Sequence, residues 1–370
     1  MSYPYHHLQD ILGKAENGTP LSGQDIIDLL SLEDSQQTPM LFECARKVRQ
    51  RHFGRRIFLY GFLYTSTYCR NDCSFCFFRS SNPESTRYRK TKPDILAGAQ
   101  RLAESGVHLI DLTMGEDPAL FDAGGDSFEQ LLDLVGSLKK ATGLPVMISP
   151  GVMSSTQLKR LGTAGASWYA CYQETHNRHL FAQLRPGQDF DRRMTAKTDA
   201  HSNGLLIEEG LLCGVGETVG DLAHSLTAMR LLRADQIRAM TFIPQPGTPM
   251  AANPPVDSCR ETILTAVMRL VFPGMLIPAS LDVEGIDGLR RRLDAGANVV
   301  TSIVPPGAGL AGVANHSLDI EDGRRTVGEV AGVLTACGLE AGTQSGYGQW
   351  IAGRQHALRA KTAPGGTSPV

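Results

Sequence analysis

The chain lacks an excess of charge of either sign. Its 36 Lys and Arg stand against 38 Asp and Glu, a net charge of −2, so there is no broad basic field for nucleic acid or an anionic membrane. It also lacks a long hydrophobic run. Proline, glycine or charge interrupts every apolar stretch before it could span a bilayer. The first residues, Met1-Ser2-Tyr3-Pro4-Tyr5-His6-His7, do not have the basic-then-apolar pattern of a secretion signal. The eight cysteines show no regular pairing, as expected in a reducing cytoplasm. No Gly-x-Gly-x-x-Gly follows the first strand-like run, so the usual mark of an open dinucleotide-binding sheet is missing. These absences point to a cytoplasmic protein that acts on neither nucleic acid nor membrane.

At 370 residues and 42% hydrophobic content the chain can bury a sizeable core. Two helices are predicted first. Ser22 can cap one, with Asp25 in its first turn. Thr38-Pro39 opens the other, which Gly54 ends. From residue 57 onward, short apolar runs alternate with amphipathic stretches. The runs fall at 57–64, 108–113, 146–149, 167–172, 206–213, 236–242, 276–280 and 298–303. Among the intervening helices, one opens at Pro93-Asp94 and closes at Gly106. Another opens on a capping box formed by Ser258 and Glu261. Eight such units predict an α/β fold, a (β/α)8 TIM-type barrel with an N-terminal helical extension. The expected division is residues 1–54 for the extension, 55–340 for the barrel and 341–370 for a C-terminal extension. The composition of 363–370 predicts disorder.

The first run leads into Thr67-Tyr68-Cys69-Arg70-Asn71-Asp72-Cys73-Ser74-Phe75-Cys76. Three thiolates at this spacing can hold three irons of a [4Fe-4S] cluster and leave the fourth iron open to a small molecule. The competing assignment is zinc with a distant histidine as fourth ligand, but His52 and His108 lie far from the run. Cys44, Cys171, Cys213, Cys259 and Cys337 fall in apolar periodic segments and read as inert buried thiols. Cys213 is the least secure of them, because it ends a predicted strand. In a βα barrel the carboxyl ends of the strands build the site. Polar groups gather at those ends: Asp111, Glu116, Ser149, Glu174, Arg238, Ser280 and Asp282. Any one of them could merely cap a helix; so many converging on one mouth indicate a site.

The cysteine run, with an aromatic between its last two cysteines, resembles the signature of the radical S-adenosylmethionine (SAM) superfamily. That resemblance implies SAM as cofactor beside the cluster. Met114-Gly115-Glu116 sits where the superfamily has its Gly-Gly-Glu motif, and so implies that Gly115 and Glu116 meet the cofactor's methionine end. Glu174, Arg185 and Arg193 resemble the groups that hold its ammonium and carboxylate. Gly214 and Gly216 resemble the glycines beside its adenine.

A closer resemblance is carried by Asp111-Leu112-Thr113-Met114-Gly115-Glu116-Asp117, Met147-Ile148-Ser149-Pro150-Gly151, Tyr172-Gln173-Glu174-Thr175-His176 and Ser280-Leu281-Asp282-Val283-Glu284-Gly285-Ile286-Asp287-Gly288. It continues from Asp294 to Pro305-Pro306. These stretches are similar to the 3-methylornithine synthase family, lysine mutases that begin pyrrolysine biosynthesis. The resemblance covers roughly residues 20 to 340 and implies isomerisation of lysine to (3R)-3-methyl-D-ornithine. The implied route is hydrogen abstraction by a 5′-deoxyadenosyl radical, then fragmentation and rejoining of the carbon skeleton. A reductant such as flavodoxin or ferredoxin is implied as partner. Lysine has two ammonium groups and one carboxylate, so Asp111 and Asp282 can meet the former. Arg238 can grip the latter, with Ser149 and Ser280 adding hydrogen bonds. The alternative is another radical enzyme of the biotin synthase and [FeFe]-hydrogenase maturase subfamily. A binding-only barrel would instead use these charges as structural pairs.

Overall fold

The computed structural model describes residues 5–33, 36–121, 125–305 and 324–362. Three helices precede the first strand, one more than the sequence predicts: α1 (Tyr5–Glu16), α2 (Gly23–Leu30) and α3 (Thr38–Phe53). Ser22 caps α2 as expected. Its hydroxyl accepts from the Asp25 N–H, and the Asp25 carboxylate accepts from the Ser22 N–H. The start of α3 differs from the expectation. Gln37 already has helical dihedrals (φ −87°, ψ −34°), so Thr38 lies inside the helix and Gln37 is the cap. Gly54 ends α3 at φ 62°, where a side chain would be strained.

The chain then alternates β1 (Arg56–Ser66), α4 (Lys92–Ser105), β2 (Leu109–Met114), α5 (Asp126–Thr142), β3 (Val146–Ser149), α6 (Ser155–Ala164) and β4 (Ala166–Ala170). Next come α7 (Arg178–Leu184), α8 (Phe190–Ser202), β5 (Leu206–Cys213), α9 (Val219–Leu232), β6 (Gln236–Thr241) and α10 (Cys259–Val271). Last are β7 (Pro278–Ser280), α11 (Leu289–Asp294), β8 (Val299–Ile303), α12 (Val327–Ala336), β9 (Glu340–Ala341) and α13 (Gln344–Thr362). The strands run parallel in the order β6-β5-β4-β3-β2-β1-β8-β7. The Ile237 N–H donates to the Leu276 carbonyl at 3.0 Å, so the two ends meet and the barrel is nearly closed. All eight predicted runs are strands. Their carboxyl ends therefore share one mouth, which is where the cysteine loop emerges.

The predicted capping box at Ser258 is absent. The Ser258 hydroxyl donates to Glu284, and Glu261 is buried between Arg292 and Thr241. A carboxylate taken by a buried guanidinium cannot also turn back to its own helix start. Cys259 is exposed at that helix start, contrary to the buried reading, while Cys44, Cys171 and Cys213 are buried and Cys337 is half-buried. The other surprise is α13. Tyr347 is fully buried and donates from its hydroxyl to the Tyr60 hydroxyl at 2.7 Å. Trp350 stacks on Trp168 with parallel rings 5.9 Å apart. Tyr347 and Ile351 share an apolar cluster with Leu109, Leu206 and Val299, residues at strand starts. The helix therefore covers the end of the barrel opposite the mouth. Among the described residues no helix is long and apolar enough to cross a membrane. Pro306 and the segment 363–370, for which disorder was expected, lie outside the described residues.

Candidate active site

Cys69, Cys73 and Cys76 sit on the loop that leaves β1 and line one cavity of about 230 Å³ at the mouth. Backbone bonds fix the loop at both ends: Arg70 N–H to the Glu116 carbonyl (2.9 Å) and Ser74 N–H to the Leu184 carbonyl (2.8 Å). The Cys73 sulfur accepts from Arg185 Nη1 (3.4 Å) and Gln188 Nε2 (3.1 Å). Burial pushes the Cys76 thiol up, and Cys73 and Cys69 add to the shift. Burial raises Cys69 as well. Bare thiolates are therefore costly here, and positive metal charge is what would offset them. Among the described residues no three His, Cys, Asp or Glu side chains form a set for a single metal ion. A four-iron cluster spreads its thiolates over separate irons.

Gly115 follows β2 and lies against the loop. A Cβ there would meet the Tyr68 carbonyl oxygen at 2.2 Å, so only glycine allows this approach. The Glu116 carboxylate accepts from Arg70 Nε (2.9 Å) and Asn71 Nδ2 (2.6 Å), tying the β2 end to the cysteine loop. Asp117 is held the same way by Arg89 and by the Ser66 hydroxyl. Across the cavity, Glu174 has φ 66°, an uncommon conformation for a non-glycine residue that costs about 1–3 kcal/mol. Its Oε1 accepts from Arg185 Nη2 at 2.6 Å, while its buried Oε2 has no partner. The buried Nε of Arg185 is also unpartnered. Burial works against the Arg185 charge, but Cys73 and Glu174 more than offset it and raise its pKa. Arg193 donates from Nε to the Tyr172 carbonyl at 2.7 Å. Glu174, Arg185 and Arg193 all line the cavity.

Gly214 and Gly216 do not line it. The Gly214 N–H donates to the Glu217 carboxylate, and a Cβ on Gly214 would press on Val256. These two glycines turn the chain after β5 at positive φ. Cys213 is buried and also lies outside the lining.

Deeper in the barrel, Asp111, Ser149, Arg238 and Asp282 line the cavity. Ser280 does not. It stands beside Asp282 and donates to its Oδ2 at 3.0 Å. Ser302 donates to the same oxygen at 2.6 Å, and Arg325 Nη1 to the other at 3.0 Å. Arg238 donates from Nε to Glu208 Oε1 at 2.6 Å, and the Tyr172 hydroxyl donates to Glu208 Oε2 at 2.8 Å. This leaves the buried Nη2 of Arg238 without a partner. Burial opposes the Arg238 charge, yet Glu208, Tyr172 and Asp111 raise its pKa. Sequence reasoning missed Glu208 and Arg325, and placed Tyr172 and Ser302 at strand ends without giving them a role. Glu208 had a visible signal, because acid in the middle of an apolar strand must find a partner.

Residues 63–229 match the model of the radical SAM superfamily. The chain is 42% identical to 3-methylornithine synthase of Methanosarcina acetivorans over 90% of its own length and 94% of that protein. A crystal structure of methylornithine synthase superimposes with a TM-score of 0.87 at 41% identity, covering 92% of this chain and 99% of that one. The chain belongs to the 3-methylornithine synthase family. A more distant relative is an [FeFe]-hydrogenase maturase subunit of Thermotoga maritima, 28% identical over 79% of this chain and 82% of that protein.

As a radical SAM enzyme, this synthase-family member uses one [4Fe-4S] cluster and SAM. Its residues fit both groups. Three thiols open into the cavity, and the glycine-only approach at Gly115 keeps the β2 end close beside them. Glu174 Oε2 and Arg185 Nε are a buried anion and cation, each with one valence unfilled. That is the pair an amino-acid ammonium and carboxylate require.

Proposed function

We propose that the protein isomerises L-lysine to (3R)-3-methyl-D-ornithine, the first step of pyrrolysine biosynthesis. One observation carries this reading. The cysteine loop and a chamber lined by acidic and basic side chains, Asp111 and Asp282 with Arg238, share a single cavity. The 42% identity to a protein of that name supports it.

When bound, the cluster and SAM supply a 5′-deoxyadenosyl radical that can take a hydrogen from a substrate carbon. Cys69, Cys73 and Cys76 would hold the cluster, and Glu174 and Arg185 the methionine end of SAM. The work of the protein is then placement. Arg238, oriented by Glu208 and Tyr172, offers Nη2 to the substrate carboxylate. Asp111 and Asp282 receive ammonium groups, and Ser149 adds a hydrogen bond at the wall. Each charge-assisted bond contributes about 1.5–3 kcal/mol and sets which carbon faces the radical source. The barrel wall keeps solvent from a reactive intermediate.

A one-electron donor such as flavodoxin or ferredoxin, and a cytoplasmic location, belong to the same reading. The test is anaerobic incubation of reduced enzyme with SAM and lysine. A product of lysine's mass with the branched skeleton is expected. If lysine is recovered unchanged while SAM is cleaved, the mutase reading fails.

A further inference from the structure

The charges deep in the cavity do not balance. Glu208 is neutralised by Arg238, and Asp282 by Arg325. Asp111 is the remainder. Among the described residues no lysine or arginine pairs with it, and its hydrogen-bond partner is the Thr113 hydroxyl at 3.0 Å. Two further carboxylates flank it: Glu208 from β5 and, at longer range, Asp282 from the end of β7. From β6 it feels Arg238. The Tyr172 ring lines the same cavity from the end of β4, and the Tyr347 hydroxyl, on α13, is within electrostatic reach of Asp111.

We propose that this chamber takes its substrate as a monocation, and that Asp111 gives up a proton as the cation arrives. The inference rests on lysine being the substrate, since lysine carries two ammonium groups and one carboxylate. With both ion pairs neutral and Asp111 protonated, the empty chamber is uncharged. Binding a monocation would leave it at +1. The Asp111 O–H bond therefore breaks, the electron pair stays on the carboxylate, and the proton leaves to solvent. The filled chamber is then neutral. Burial, followed by the Glu208 charge, supports a protonated resting state by lifting the carboxyl to about 7, against the pull of Arg238 and Thr113. An ammonium alongside reverses that shift. Lysine affinity therefore rises with pH up to about 7 and levels off above it.

The experiment is calorimetric titration of lysine into cluster-loaded, unreduced enzyme saturated with SAM, so that no turnover occurs. Paired buffers of different ionisation heat count the protons. Release of most of one proton at about pH 6.5 and of only a small fraction at about pH 8 is expected. Asp111→Asn should abolish the difference. Glu208→Gln keeps the cavity shape but removes the neighbouring anion, so release at the lower pH should fall several-fold. Lysine that binds with no proton release at either pH, or with unchanged release in both variants, would overturn the inference and leave the lysine reading standing. Failure of lysine to bind at any pH would instead sink the lysine reading and this inference with it.

Discussion

Lys197→Met tests whether the buried ion pair behind the site braces it. Lys197 reaches from α8 to Glu209 on β5, and both side chains are fully buried. Its ammonium also donates to Gln173 Oε1 at 2.9 Å. Glu209 Oε1 accepts from the N–H groups of Gln173 (2.7 Å) and Gly210 (2.9 Å). The next residue after Gln173 is Glu174, held at φ 66° by bonds to Gly210 and Leu212 on the same strand. Burial alone would raise the Glu209 carboxyl, but Lys197 and His176 hold it low, at about 2. The single substitution strands a buried carboxylate. Removing one partner of such a pair costs about 3–5 kcal/mol.

Adding Glu209→Gln should recover most of the loss, because the amide oxygen still accepts both backbone N–H groups and no charge is left unpaired. The assay is anaerobic urea denaturation of the holoenzyme, with SAM affinity measured alongside. Weaker SAM binding should accompany the single substitution, since the Glu174 strap rests on this cluster. The pH dependence has a definite sign. Glu209 titrates lower in the folded state than the ordinary 4.5, so its stabilisation is present above that value and fades as pH falls toward about 2. A loss below about 1 kcal/mol for Lys197→Met would refute the claim that Glu209 is a buried anion dependent on Lys197.

Three further substitutions probe the cavity. Cys73→Ala should leave the protein folded but lower bound iron and abolish SAM cleavage; full iron content and an unchanged electron paramagnetic resonance signal would count against the cluster assignment. Gly115→Ala forces the Tyr68 carbonyl aside from a 2.2 Å contact, so cluster reconstitution yield should drop even though the change adds one methyl. Arg238→Lys loses the planar fork that serves Glu208 from Nε while Nη2 stays free for a substrate carboxylate. KM for lysine should rise about 10- to 150-fold, the equivalent of one charge-assisted bond, with kcat less affected. An unchanged KM would remove Arg238 from substrate binding.

The sequence by itself determined the eight strands, the cysteine loop and the mouth on which the strand ends converge. Those features are local: the spacing of three thiols, the alternation of short apolar runs with helical stretches, and the polar residue that ends each run. Helix α13 escaped notice because its glycines and weak amphipathicity hide it, and only the open end of a barrel gives its aromatics something to cover. The charge pattern of the chamber was likewise decided in three dimensions. Glu208 meets Arg238 across 30 residues of chain, and Asp282 meets Arg325 across 43. Barrel closure sets those distances, and so made Ser280 a support for Asp282 and left Asp111 as the one unpaired acid among the three described carboxylates of the chamber. Sequence lists the charges, but which of them cancel depends on the few ångströms between side chains that only packing establishes.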